Sequence, residues 1–179
     1  MISYVNAYDY DPDDAEAVSH TISGIGSVVG LFVAILAGYL TDKMGFGFLG
    51  VLTYLIPGIC YLVVIEYNDN DVKSSLTYGL MITGAAFVQA GIVVNNMMIN
   101  RVLRKDVKGT VMGVYIFFGS LGVLVLTKVG NNLYDAGQYG AAFTIGGWLA
   151  IATAFFTFLL WASGAFNNAL KKMDKEALY

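Results

Sequence analysis

Charge is what this 179-residue sequence has least of: Asp, Glu, Lys and Arg make up 13% of it, against about 25% in a typical soluble domain. Cysteine occurs once, at Cys60, which leaves neither a disulfide framework nor a cysteine-based metal site. Histidine also occurs once, at His20 beside an acidic stretch, so a histidine-cluster metal centre lacks ligands and the residue reads as a surface group. No cofactor-binding pattern is present, and no cofactor is expected. Ten bases against thirteen acids give a net charge of −3 and a pI near 4.9. The bases cluster only briefly, at 101–108 and 171–175, which argues against a nucleic-acid partner. The stretch before the first apolar run is acidic, so it does not read as a cleavable signal peptide. The H-E-x-x-H, G-x-S-x-G and Walker-type patterns are missing, and Gly24-Ile25-Gly26 lies inside an apolar run and not after a strand. Neither an enzyme nor a dinucleotide-binding protein is expected.

What the sequence does have is apolar length. Hydrophobic residues make up 57% of it, the mean hydropathy is +0.65, and the charges are segregated so that 17–41, 44–65, 74–100, 109–127 and 136–170 carry none. Crossing the hydrocarbon core takes about 20 mostly apolar residues, and each run can supply them. The expected fold is an all-α, multi-pass membrane protein in contact with the lipid bilayer, with spans near Thr21–Leu40, Phe48–Ile65, Ser75–Met97, Gly109–Val129 and Ala141–Ala162. Ser19 and Thr21 are candidate caps for the first span. Short polar connections at 41–47, 66–74, 98–108 and 130–140 make sequential helices antiparallel within one bundle. The chain thus divides into an acidic segment at 1–20, a helical bundle at 21–163 and a polar tail at 164–179.

Eight of the ten bases (Lys43, Arg101, Arg104, Lys105, Lys108, Lys171, Lys172 and Lys175) fall in the first and third connections and the tail, and only Lys73 and Lys128 on the other side. By the positive-inside rule the C-terminus is cytoplasmic and the N-terminus outside or lumenal. Small residues recur every fourth position in the first span, at Gly26, Gly30, Ala34 and Gly38, and again at Gly146, Ala150 and Ala154 in the fifth, as helices that approach closely require. Trp148 and Trp161, with Phe155, Phe156 and Phe158 between them, suit lipid contact and interface anchoring. No ionisable group sits deep in a span, since Glu66 and Lys128 lie near span ends where snorkelling suffices. The third span has the clearest polar face: Tyr78, Gln89, Asn96 and Asn100 return to nearly one side of a helix. These groups suit either a polar ligand or hydrogen bonds between helices. Tyr115 on the fourth span and Ser27 on the first are further candidates.

The first span ends in Gly38-Tyr39-Leu40-Thr41-Asp42-Lys43-Met44-Gly45. This resembles the G-x-L-x-D-[RK]-x-G signature that major facilitator superfamily transporters carry between their second and third helices and, more weakly, between their eighth and ninth. The basic pair that usually follows is replaced by Phe46-Gly47, which favours the weaker copy. Lys108–Gly113 opening the fourth span, its glycines Gly113, Gly119 and Gly122, and Gly130–Asp135 at its end are similar to the family's eleventh helix and the turn after it. Thr127 stands where the antiporter pattern expects proline, so antiport is not implied. The resemblance implies that the five spans are helices eight to twelve, most of one six-helix repeat, and that the seventh helix and the N-terminal half are missing, so that the chain is expected to be a fragment or truncated product with a missing N-terminal half as its candidate partner. It implies a gating role for Gly38, Asp42, Lys43 and Gly45. It also places Gln89, Asn96, Asn100 and Tyr115 as candidates for a central substrate cavity.

The function so implied is movement of a small polar solute by alternating access. The acidic, tyrosine-rich stretch Tyr8–Glu16 leading into Ser19–Gly30 also resembles organophosphate and sugar-phosphate exchangers, although bases to hold a phosphate are not found in these helices. The reading from another class is a non-transporting membrane scaffold or assembly subunit. The orientation is directly testable. With Cys60 replaced by alanine, cysteines introduced at Lys43 and Lys171 should react with an impermeant maleimide only from the cytoplasmic side, and labelling from outside would invert the topology.

Overall fold

The structure, a computed structural model, describes residues 12–66, 75–103, 105–138, 140–166, 168 and 171. Most of the acidic stretch up to Asp11, together with Lys73, Arg104, Lys172 and Lys175, lies outside the described residues. The described residues form five long helices: α1 (Pro12–Met44), α2 (Phe46–Glu66), α3 (Ser75–Val102), α4 (Lys105–Asp135) and α5 (Ala141–Ala162). Each contains a stretch long and apolar enough to cross a membrane: His20–Met44, Phe46–Ile65, Leu76–Val102, Asp106–Leu133 and Ala141–Ala162.

The helices run further than the apolar runs alone imply. α1 already includes Pro12, the first described residue. The cap expected at Ser19 and Thr21 is therefore absent: both lie inside the helix, and Thr21 Oγ1 donates to the Ala17 carbonyl one turn back, 2.8 Å away. The first connection shrinks to Gly45 alone, whose φ of +85° only glycine adopts without strain. Residues 130–135 continue α4 as helix, and the chain turns instead at 136–137, where Gly137 has a φ of +79°.

α1 packs chiefly on α3, α2 packs on both α3 and α5, and α4 only grazes α5 and α3. The main bundle is therefore a row, α1–α3–α2–α5, with α4 lying beside it. Lipid tails are as apolar as leucine, so close van der Waals packing, not hydrophobic exclusion, holds such helices together. The expected stripe on α1 supplies that packing. A Cβ at Gly26 would meet Ala85 Cβ at 3.3 Å, one at Gly30 would meet Gln89 Cγ at 3.2 Å, and one at Gly38 would meet Met97 Sδ at 3.8 Å. These pairs share one sequence offset, so α1 and α3 run parallel, as alternate spans of a serpentine must.

α2 and α5 run antiparallel through an even closer seam. A Cβ at Gly58 would lie 2.8 Å from Ile151 Cγ1 and 3.0 Å from the Gly147 carbonyl oxygen, and one at Gly147 would lie 2.9 Å from Leu62 Cγ. The close residue on α5 is thus Gly147, not its neighbour Gly146 in the expected stripe, which faces open space. At the seam's other end Trp161 lies on Gly47, where a Cβ would come within 2.1 Å of Trp161 Cδ1, and its ring meets Phe48 edge-on with centroids 6.1 Å apart. Trp161 is thereby partly a packing residue, whereas Trp148, Phe155 and Phe156 face outward.

Two apolar clusters close the row. Ile22, Val64 and Met81 form one, and Ala37, Phe46, Leu49, Ala90 and Val94 form the other. Hydroxyls are satisfied within their own helices: Thr41 donates to Ala37 O, Thr53 to Gly50 O, Ser27 to Ser23 O, Thr153 to Leu149 O and Thr157 to Thr153 O. Among the described residues no buried side-chain nitrogen or oxygen lacks a partner. The outer surface is apolar, with Phe32 71% and Ile35 72% exposed, and no residue in the membrane-length window of α4 is buried. In water so large an apolar face would be an aggregation hazard; against lipid it is the solvated surface.

The seam predicts a sharp contrast between adjacent glycines. Gly147→Ala should lower stability in detergent by about 1–3 kcal/mol, because a methyl there meets Leu62 and the backbone of Gly58. Gly146→Ala should change it little; equal unfolding midpoints for the two variants would contradict the packing.

Candidate functional site

The sequence signature at the end of α1 becomes a physical device. Gly38 lets α1 approach Val93 and Met97 of α3. One turn on, Asp42 Oδ1 accepts a hydrogen bond from Arg101 Nη2 at the end of α3, forming an ion pair. Asp42 lies 59 residues before Arg101, the same offset as Gly26–Ala85, Gly30–Gln89 and Gly38–Met97. The ion pair is thus the polar continuation of the small-residue stripe, in register with it. A carboxylate at a helix C-terminus opposes the macrodipole and needs a cation, and the opposed helix end delivers one.

Arg101 also stacks toward α2, its guanidinium carbon 5.3 Å from the centroid of the buried Phe46 ring. It therefore ties the end of α3 to both the end of α1 and the start of α2. Gly45 permits this, since its left-handed φ places Phe46 directly after Asp42-Lys43-Met44, and its N–H bonds back to Thr41 O at 3.0 Å. Lys43 points elsewhere, its ammonium 4.7 Å from the Tyr39 ring centroid. Within the motif Gly38 thus provides close approach, Asp42 the negative charge, Lys43 a cation and Gly45 the turn. Arg101 was visible in the sequence as one of the positive-inside bases, but its partner was not, because the match between residues 42 and 101 follows only from the α1–α3 register.

The expected cavity residues on α3 keep to one side of that helix, but Tyr115 lies apart from them. Gln89 is exposed and lies with its methylene stem on Gly30, on the α1 side of α3; Asn96 is half-buried and Asn100 exposed. Tyr78 joins the apolar cluster around Ile22. Tyr115, from α4, instead lines a cleft of about 330 Å³ between α2, α3, α4 and α5. Thr53, Tyr54, Val88, Gly91, Ile92, Asn95 and Thr153 also line it. Within it Asn95 Nδ2 donates to the Tyr54 hydroxyl, a bond between helices. Sequence periodicity singled out Asn96 and passed over Asn95. Successive helical residues lie about 100° apart, and only the packing of α2 reveals that the second asparagine face is the enclosed one. A further depression, lined by Ser120, Thr127, Lys128 and Asn131, is built from α4 alone.

Five apolar helices packed through glycine seams, with a charged clamp at one end and polar groups inside, define a multi-pass integral membrane protein. The sequence matches the family described as Major Facilitator Superfamily over residues 1–127, which takes in α1, α2, α3 and most of α4. The chain belongs to that superfamily of membrane transporters, and its five helices fit part of the superfamily's repeat. No curated protein and no solved structure matches it.

The clamp makes a quantitative prediction. Arg101 and Asp42 are 49% and 51% exposed, so a double-mutant cycle with alanine at each position should return a coupling of about 0.2–1 kcal/mol. The coupling should shrink as salt is raised. Absence of coupling at low ionic strength would dissolve the clamp.

Proposed function

We propose that the chain forms the C-terminal part, helices eight to twelve, of a carrier that moves a small polar solute by alternating access, and that it is not an enzyme. The observation that carries this reading is the Asp42–Arg101 pair, set in the motif the family uses between helices and held in register with the α1–α3 stripe. An ion pair between helix ends is well suited to gating: it forms only when the ends meet, and it is worth little enough to be broken in each cycle. Gly38 and Gly45 set the approach and the turn, Lys43 adds positive charge at the same end, and that end is cytoplasmic by the distribution of Lys and Arg.

In this reading a second six-helix unit faces α1 and α4, and solute passes between the two units. Gln89, Asn96 and Asn100 supply amides toward that space, whereas Tyr115 is set apart from them in the cleft between α2, α3, α4 and α5. The five helices hold no carboxylate at mid-span, so these neutral groups would bind the solute through hydrogen bonds.

Uptake of a panel of radiolabelled sugars, polyols, amino acids and sugar phosphates into proteoliposomes is the test. It should be run on the chain alone and on the chain co-expressed with a six-helix N-terminal half. Uptake is expected in the second arrangement, and its absence in both would favour the scaffold reading. Wherever uptake is found, Asp42→Asn should reduce it by up to about fivefold while leaving membrane insertion intact, because neutralising the carboxylate removes the charge that holds the Arg101 gate. Unchanged uptake would remove the gating role.

A further inference from the structure

The cleft behind α3 has properties that solute movement between two helical units does not use. Its lining comes mainly from three helices: Thr53, Tyr54, Pro57 and Tyr61 of α2; Val88, Gly91, Ile92 and Asn95 of α3; Gly146, Leu149, Ala150 and Thr153 of α5. These positions lie near the middle of their spans, at the depth of the hydrocarbon core. They sit on a different side of α3 from Gln89, which packs on α1.

The polar capacity inside the cleft is specific. The bond between Asn95 and Tyr54 uses one donor and one acceptor. Whichever way the amide is turned, the pair retains at least one further N–H or O–H donor and one further oxygen acceptor. A second acceptor arises from the backbone. Pro57 lies inside α2 and has no N–H, so the carbonyl of Thr53, four residues earlier, loses its helical partner. Gly91 keeps α3 close to that carbonyl, since a Cβ there would lie 3.7 Å from Thr53 O. None of the lining residues is Asp, Glu, Lys, Arg or His. An ion at this depth would have no counter-charge.

We propose that this cleft is a binding site for an uncharged, largely apolar molecule bearing a hydroxyl group. The hydroxyl donates to Thr53 O or the Asn95 side-chain oxygen and accepts from the Tyr54–Asn95 pair. The apolar body lies against Val88, Ile92 and Leu149, with Tyr115 of α4 covering it. A volume of about 330 Å³ suits a small molecule of this kind. The site stands independently of the transport reading, because it requires no movement of solute across the chain.

The test uses the full chain in lipid nanodiscs and a diazirine-bearing octanol as probe, with the corresponding hydroxyl-free diazirine alkane as control and labelled residues mapped by mass spectrometry. The alcohol should label residues of the cleft, Tyr115 among them, and excess octanol should suppress that labelling. Asn95→Leu should reduce alcohol labelling there roughly fivefold, to the level of the alkane, which should itself be unaffected. Gly146→Leu keeps every polar group but fills the open side of the cleft, where a Cβ meets nothing within 4 Å, and should abolish labelling by both probes. Equal labelling by alcohol and alkane in the unaltered chain would mean that the cleft takes only acyl chains, and would overturn the proposal. Alcohol labelling that survives Gly146→Leu would overturn it as well.

Discussion

The parallel register of α1 on α3 is the constraint from which most of this structure follows. One offset brings Gly26 to Ala85, Gly30 to Gln89, Gly38 to Met97 and Asp42 to Arg101. A helix has no freedom to slide along such a stripe, because each glycine accommodates a particular side chain and a one-residue shift rotates the small face away. The charged pair at the end is therefore placed by apolar contacts along about 24 Å of helix, taking 1.5 Å per residue from Gly26 to Asp42. The ion pair need not be strong to be well positioned. Its half-exposed partners contribute little to holding the helices together, and the packing supplies the geometry that makes the contact possible.

The same economy governs the interior. Within a bilayer an unsatisfied polar group is costly, and the hydroxyls of Thr41, Thr53, Thr153 and Thr157 are occupied on their own helices. Serine and threonine can thus line close helix contacts without dictating partners. Asn95 and Tyr54 do otherwise, committing their polar atoms across the α2–α3 boundary, and Pro57 removes a backbone donor one turn away. Polar capacity is thereby placed at a cleft that four helices line.

How far the sequence discloses this can be judged from particular residues. The five helices and their order were legible because runs of uncharged residues report directly on hydrocarbon thickness. The α1 stripe was legible because its period is that of the helix and its partner face need only be smooth. The α5 stripe was legible in part: Ala154 is buried as expected, but the close glycine is Gly147 in place of Gly146, since two adjacent glycines look alike until Gly58 and Leu62 are set against them. The start of α1 was missed because Ser19 and Thr21 are good caps in isolation, yet helix persists past them to Pro12. Among the polar residues, Asp42 could be recognised as needing a cation, but Arg101 could not be chosen over the neighbouring bases without the inter-helix register. Asn95 was masked by Asn96. A single helix offers every face equally, and enclosure is a property of its neighbours.

α3 is where the clamp and the cleft meet mechanically. Its α1-facing side carries Ala85, Gln89, Val93, Met97 and Arg101, and its cleft side carries Val88, Gly91, Ile92 and Asn95. Both sets are fixed to one backbone cylinder with i→i−4 bonds throughout, so α3 moves as a unit. Tilting α1 away from α3 releases Arg101 from Asp42 but leaves its stacking on Phe46, because Phe46 belongs to α2. The α2–α3 contact, pinned by Gly91 on Thr53 and Asn95 on Tyr54, would carry the cleft along unchanged. α4, held by few contacts, can shift without breaking either seam. The weakest boundaries of the bundle are therefore those of α4, while α1, α3, α2 and α5 are joined in a row by the closer contacts.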